Sequence, residues 1–157
     1  MRHILDEILH SPQFTEGASW NRRFYAAGDK IIEKGESGNT LFFVESGCVR
    51  VLGGAELQKD VRIYPGLCDL EVGALFGDIC LFGEHRRTAS VEALTESTVL
   101  EIRSDMLRVY LDDHPVQGYL LLKALFEVMV NRLETANDRI EKLLAWGIKA
   151  HDIDKYL

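Results

Sequence analysis

From Arg22 to Ile102 short runs rich in β-branched and aromatic residues alternate with glycine: RRFYAAG, KIIEKG, LFFVESG, CVRVLGG, then VRIYPG, TASVEAL and STVLEI. Turn signals at roughly ten-residue spacing are the pattern of short antiparallel strands closed into a sandwich or barrel. Gly28, Gly35, Gly38 and Gly47 each end such a run. A left-handed or tight turn costs glycine less than it costs a residue with a Cβ. Leu75 to Phe82 interrupts the rhythm, because its apolar run leads into GEHRRTASV and reads better as a short helix between strands.

Helical patterning brackets this region. Ile4, Leu5, Ile8 and Leu9 form one stripe that Ser11-Pro12 ends, predicting a short N-terminal helix. From Asp105 onward the pattern is helical again. Leu122, Phe126, Met129, Leu133, Ala136, Ile140 and Leu143 recur at steps of four and three, a heptad seam with Glu127, Arg132, Glu134 and Lys142 among its polar neighbours. Leu121, Leu125 and Val128 add a second apolar face early in the helix, fit for packing within the chain. Beyond Thr135 the apolar set narrows to the seam, as a homodimer contact through residues 122–143 requires. The expected fold is therefore α+β, mainly β. Residues 1–20 form the N-terminal helix region, 21–104 the strands, 105–148 the C-terminal helices and 149–157 a tail, within a single domain of 157 residues.

Charge narrows the function. With 18 basic against 25 acidic side chains the formal net charge is −7, which speaks against a nucleic-acid or anionic-membrane surface. No apolar run approaches the ~20 residues of a membrane span. The opening MRHILDEILH carries acids where a signal peptide would be apolar. Cys48, Cys68 and Cys80 are odd in number and far apart, which suits a cytoplasmic protein. Cys48 and Cys68 are expected to act as small hydrophobes among the strands. His3, His10, His85, His114 and His151 show no metal-ligand spacing. No nucleophile elbow, P-loop, dinucleotide fingerprint or zinc spacing appears, so no catalytic residue, metal or cofactor is assigned.

The chemistry concentrates in residues 76–91. A glycine opening a short helix, Gly77, lets backbone N–H groups approach an anion. Arg87 supplies a permanent cation whose planar fork suits two phosphate oxygens. Asp78 cannot bind phosphate but can accept a hydrogen bond from a sugar hydroxyl. Together these groups suit a sugar phosphate, although an Asp–Arg pair across a turn is also a common solvated ion pair.

This segment resembles the phosphate-binding cassette of the cyclic nucleotide-binding domain family, Phe-Gly-Glu-(Leu/Ile)-(Ala/Cys)-Leu, a variable gap, then Arg-x-Ala-(Thr/Ser)-Val. Phe76, Gly77, Asp78, Ile79, Cys80 and Leu81 meet the first part, and Arg87, Ala89, Ser90 and Val91 the second. The cassette is most like that of the hyperpolarisation-activated channels, and AAGDKIIEKGESGNTLFFVESGCVRV resembles the family's β-roll. The resemblance covers roughly residues 20–145 and implies an antiparallel β-roll or jelly-roll barrel that binds cAMP or cGMP. It implies that Arg87 pairs with the cyclic phosphate, that the N–H groups around Ile79 and Cys80 cap it, and that Asp78 takes the ribose 2′-hydroxyl. Gly77 and Ala89 would let the ligand approach. Thr88 stands where cGMP-binding members often carry threonine, which also tolerates cAMP, and Ser90 completes the cassette. Asn131, Arg132 and Thr135 are the candidates to cover the base from the C-terminal helix. Asp78 departs from the family glutamate by one methylene, so its ribose contact would be long or water-mediated.

The β-roll and long helix also resemble the catabolite-activator regulators, but residues 147–157 are too few for a helix-turn-helix, so no DNA-binding domain is expected. The expectation is a stand-alone cyclic nucleotide sensor that signals by helix rearrangement to a partner protein. Its alternatives are a degenerate, ligand-free dimeric interaction module, and a redox or gas sensor that would need a cysteine cluster or haem ligand.

Overall fold

A computed structural model describes residues 1–58, 61–63, 66–83 and 85–150. The N-terminal helix α1 spans Arg2–Leu9 and buries Leu5 and Ile8 from the predicted stripe. Among the described residues twelve strands follow: β1 Trp20–Tyr25, β2 Lys30–Ile32, β3 Ser37–Gly38, β4 Thr40–Ser46, β5 Val49–Leu52, β6 Ala55–Gln58, β7 Val61–Ile63, β8 Gly66–Leu70, β9 Leu75–Phe76, β10 His85–Arg86, β11 Ser90–Ala93 and β12 Ser97–Arg103. A 3-10 helix, Asp78–Phe82, stands between β9 and β10 where the sequence predicts a short helix. Helix α2 covers Ser104–Asp113, and α3 covers Pro115–Ala150 with proline at its first turn, where a missing N–H costs nothing. The fold is thus mostly antiparallel β with a short N-terminal and a long C-terminal helix, as expected. Helix α3 continues to Ala150, through the start of the expected tail, whose residues from 151 lie outside the described residues, as do Glu84 of the cassette loop and His151.

Two four-stranded sheets carry the architecture, β1-β12-β4-β9 and β2-β11-β5-β8, every pair antiparallel. Ile32, Val49 and Val91 from one sheet meet Phe42, Val44, Phe76 and Val99 from the other in one core cluster. Strand β4 reads Leu41-Phe42-Phe43-Val44 without alternation, and all four side chains are buried. That is the pattern of a strand covered on both faces. One face belongs to the core cluster, and the 3-10 helix also packs on β4. Helix α2 touches both the 3-10 helix and β12. The cassette is therefore wedged between the central strand of its sheet and a helix.

The turn glycines divide into two kinds. Gly28, Gly35 and Gly47 take positive φ, as the strand rhythm predicts. At Gly47, φ is +84° and a Cβ would also run into the Glu96 carbonyl and the Ser97 hydroxyl, so any side chain is excluded twice. Gly38 corrects the prediction. It is not a left-handed turn residue but part of β3, paired with His85. Its reason for being glycine lies in the site described below. Cys68 is a second correction, since it is exposed on β8 rather than packed as a small hydrophobe, while Cys48 is partly buried.

Contacts divide the chain into two compact units, Met1–Gly118 and a second beginning at Tyr119. In the second unit Leu121 and Leu125 are buried and Val128 half-buried, matching the inner face read from the sequence. The seam residues Leu122, Phe126, Met129, Leu133, Ala136, Ile140 and Leu143 are all exposed.

The β-roll surface is laced with bidentate arginine–carboxylate pairs. Arg50 and Asp69 stand directly opposite on β5 and β8, with Nε and Nη2 donating to the carboxylate at 2.6 and 2.8 Å. Those hydrogen bonds hold the Asp69 carboxyl below its ordinary range. A depressed folded-state pKa contributes stability that is full above the unfolded value of ~4 and is lost as pH falls through the folded value. Asp69→Asn is therefore expected to reduce stability slightly at neutral pH and to flatten its decline below about pH 4, as measured by urea midpoints across an acid series.

Candidate functional site

Arg87 is fixed through its backbone before its side chain acts. Its N–H donates to the Glu36 carbonyl and its carbonyl accepts from the Gly35 N–H, both at 2.8 Å. The β3–β10 pair, Ser37 with Arg86 and Gly38 with His85, continues this tie. The start of the second cassette half is thus clamped to the turn that precedes β4. Strand β11 continues the clamp, because the Ser90 hydroxyl accepts the Lys34 N–H at 3.0 Å.

The Arg87 side chain is half-buried and its partners are all neutral. Nη2 donates to the Thr40 hydroxyl at 3.0 Å, and Nη1 donates to the Cys80 sulfur at 3.4 Å. The guanidinium carbon lies 5.5 Å from the centroid of the Phe42 ring, a cation–π contact. Phe42 is itself stacked on Phe76, with centroids 5.2 Å apart and planes 14° from parallel. Among the described residues Arg87 makes no ion pair. Elsewhere in the same unit Arg22 pairs with Glu45, Arg23 with Glu101, Arg50 with Asp69 and Arg103 with Asp105. A permanent cation held by a hydroxyl, a thiol and a ring keeps its charge available to an incoming anion.

Gly77 has φ +70°, the left-handed conformation that turns β9 into the 3-10 helix. A Cβ there would sit 2.9 Å from Arg87 Nη1 and 3.2 Å from the Thr40 carbonyl. Asp78 follows, half-buried, then Ile79, 52% exposed, and Cys80, 3% exposed. The Cys80 N–H donates to the Gly77 carbonyl at 3.2 Å, so in this structure it is engaged within the turn. Thr88 is exposed, Ala89 half-buried and Ser90 buried. The structure therefore brings Gly77, Cys80 and Arg87 together, with Asp78 and Ile79 on the same turn, Thr88 and Ala89 in the bend that follows Arg87, and Ser90 at the start of β11. Asn131, Arg132 and Thr135 are exposed on α3 in the second unit, and the Thr135 hydroxyl donates to the Asn131 carbonyl at 2.8 Å.

Three residues at this site carry no signal in the cassette sequence. Gly38, Thr40 and Phe42 lie more than 40 residues before Arg87 and reach it only because β3 and β4 fold against the cassette. A Cβ on Gly38 would coincide with Nε and Nη2 of Arg87. Among the described residues no group of three or more metal-ligating side chains converges. No helix there is long and apolar enough to cross a membrane.

Residues 22–114 match the family model of the cyclic nucleotide-binding domain. The chain belongs to that family. Among curated relatives it is similar to glutaminase 2 of Bradyrhizobium diazoefficiens, 33% identical over 124 residues that cover 79% of this chain and 18% of that protein. It is also similar to the mouse potassium/sodium hyperpolarization-activated cyclic nucleotide-gated channel 2, 32% identical over 75% of this chain and 12% of the channel. The chain thus spans under a fifth of these relatives' lengths. The crystal structure of the Thermus thermophilus catabolite activator protein superposes with a TM-score of 0.63 at 26% identity, covering 85% of this chain and 63% of that one.

The close approach at Gly77 gives a direct test of the site's construction. Gly77→Ala is expected to destabilise the fold by ~1 kcal/mol or more, because alanine is strained at positive φ and its methyl presses on Arg87. Denaturant unfolding checks the stability, and the Arg87 guanidinium NMR signals check the displacement.

Proposed function

We propose that this domain is a cyclic nucleotide sensor whose ligand phosphate pairs with Arg87. The Arg87 guanidinium, without a carboxylate partner among the described residues, is the observation that carries the reading. Four other arginines of its unit hold a carboxylate, while this one sits in the family's cassette among neutral groups. Gly77 keeps a Cβ off the guanidinium that meets the phosphate, and Ala89 leaves space for the ligand to approach. The N–H groups of Ile79 and Cys80 cap the phosphate, which requires the Cys80–Gly77 bond to be exchanged for a phosphate oxygen. That exchange couples ligand entry to a change in the turn. Asp78 accepts from the ribose 2′-hydroxyl, and its shorter side chain weakens that contact, by about tenfold to a hundredfold in affinity if the hydrogen bond is lost. Thr88, exposed beside Arg87, is available to either base, and Ser90 braces the cassette strand.

The output is regulatory. Rearrangement of the C-terminal helix relays binding to a partner protein. Such a relay needs ligand affinity to differ between two states, typically by about 1–3 kcal/mol. The relatives named above are far longer, which accords with a module that serves different outputs in different proteins.

Isothermal titration with cAMP, cGMP and 5′-AMP tests the reading. A cyclic form is expected to bind at micromolar concentration or below and 5′-AMP poorly. Arg87→Ala is expected to weaken the cyclic ligand by about a hundredfold, as loss of a charge-assisted partner should, with the unfolding midpoint unchanged. No heat with the wild-type protein would instead favour a ligand-free interaction module, and unchanged affinity in Arg87→Ala would overturn the assignment of the phosphate to Arg87.

The exposed seam on α3 supports homodimerisation. Phe126, Leu133 and Leu143 are 68%, 62% and 66% exposed, at the spacing a paired helix would cover. Sedimentation is expected to give a dimer, and Leu133→Lys a monomer with an intact β-roll. A wild-type monomer at high concentration would remove the dimer from the proposal.

A further inference from the structure

Arginine is a poor anion ligand until it is held still. Its long side chain samples many rotamers, and binding must otherwise remove that freedom. At this site two residues ahead of the cassette restrain it. Thr40 opens β4, paired with Arg103 of β12, and its hydroxyl accepts from Arg87 Nη2 at 3.0 Å. Gly38, on β3, leaves vacant the volume into which Nε and Nη2 of Arg87 settle. Below them the Phe42 ring forms a floor at 5.5 Å, itself backed by Phe76.

On the reading that Arg87 is the phosphate ligand, we propose that Thr40, with Gly38 beside it, is its positioning residue and sets the affinity of the empty site. Thr40 fixes one edge of the guanidinium with a neutral acceptor. A carboxylate at that position would hold the arginine equally well but would cancel the charge the ligand needs. The hydroxyl orients without neutralising. Gly38 contributes by absence. A methyl there meets the movable end of the arginine rather than rigid backbone, so Gly38→Ala is expected to displace Arg87 while leaving β3 in place.

The test combines cAMP titration with a ligand-free readout. Thr40→Val keeps the shape and removes the acceptor; it is expected to weaken cAMP about tenfold, with the unfolding midpoint unchanged. Thr40→Ser keeps the hydroxyl and is expected to bind as the wild type does. Gly38→Ala is expected to weaken cAMP at least as much as Thr40→Val. In an Arg87→Ala background Thr40→Val should change nothing further, because its whole effect passes through the arginine. The Arg87 guanidinium ¹⁵N–¹H signals, assigned by their disappearance in Arg87→Ala, report the cradle without ligand. They should show slowed rotation in the wild type and in Thr40→Ser, and free rotation in Thr40→Val. Wild-type affinity in Thr40→Val, an equal cost in the Arg87→Ala background, or guanidinium signals indifferent to Thr40 would overturn the assignment. If wild-type protein binds no cyclic nucleotide while the signals still depend on Thr40, the ligand reading fails and the cradle stands.

Discussion

The contact on which the site depends is the one between the Arg87 guanidinium and the strand pair β3–β4. A full positive charge is half-buried there without a counter-charge among the described residues. Desolvating a cation costs free energy, and among the described residues a hydroxyl, a sulfur and an aromatic face offset it. Such an arrangement leaves the strongest remaining interaction to be made by an anion from solution. The neighbouring glycines follow from the same constraint. Gly38 and Gly77 both abut the guanidinium, and a Cβ on either would intrude on it.

The scaffold explains why that contact persists. Strand β4 is paired on both edges, to β12 and to β9, and Leu41, Phe42, Phe43 and Val44 are all buried. Phe42 therefore serves the core and the site at once, with its ring stacked on Phe76 and lying beside the arginine. Clamping by Gly35 and Glu36 sets the Arg87 backbone against the same region. The result is a rigid side of the site, built from β3, β4 and the β10 tie. The 3-10 helix forms the other side, with Ile79 exposed and the Cys80 N–H bonded to the Gly77 carbonyl within the turn.

Local pattern was enough for much of this. Glycine-punctuated strand runs, the stripe of α1 and the cassette's short helix are encoded over ten residues or fewer, and each appears where expected. Periodicity also separated the two faces at the N-terminal part of α3, with Leu121 and Leu125 buried and Leu122 and Phe126 exposed. What escaped was whatever depends on distant chain. Gly38 looked like its neighbours Gly35 and Gly47, since sequence cannot distinguish a glycine needed for φ from one needed for space. Thr40 and Phe42 read simply as the start of an apolar strand. Cys68 looked like a core filler because residue type alone does not say which face of an edge strand it occupies.

The wide sequence separation of these contacts bears on when the site comes into being. Thr40 and Arg87 are 47 residues apart, and β4 gains one of its two neighbours only when β12, ending at Arg103, is in place. Contacts of such high order form late, after the loop-closure entropy has been met. A peptide of the cassette alone would carry the charge without the cradle. On the ribosome, the growing chain would hold every cassette residue before it could build the cradle around Arg87.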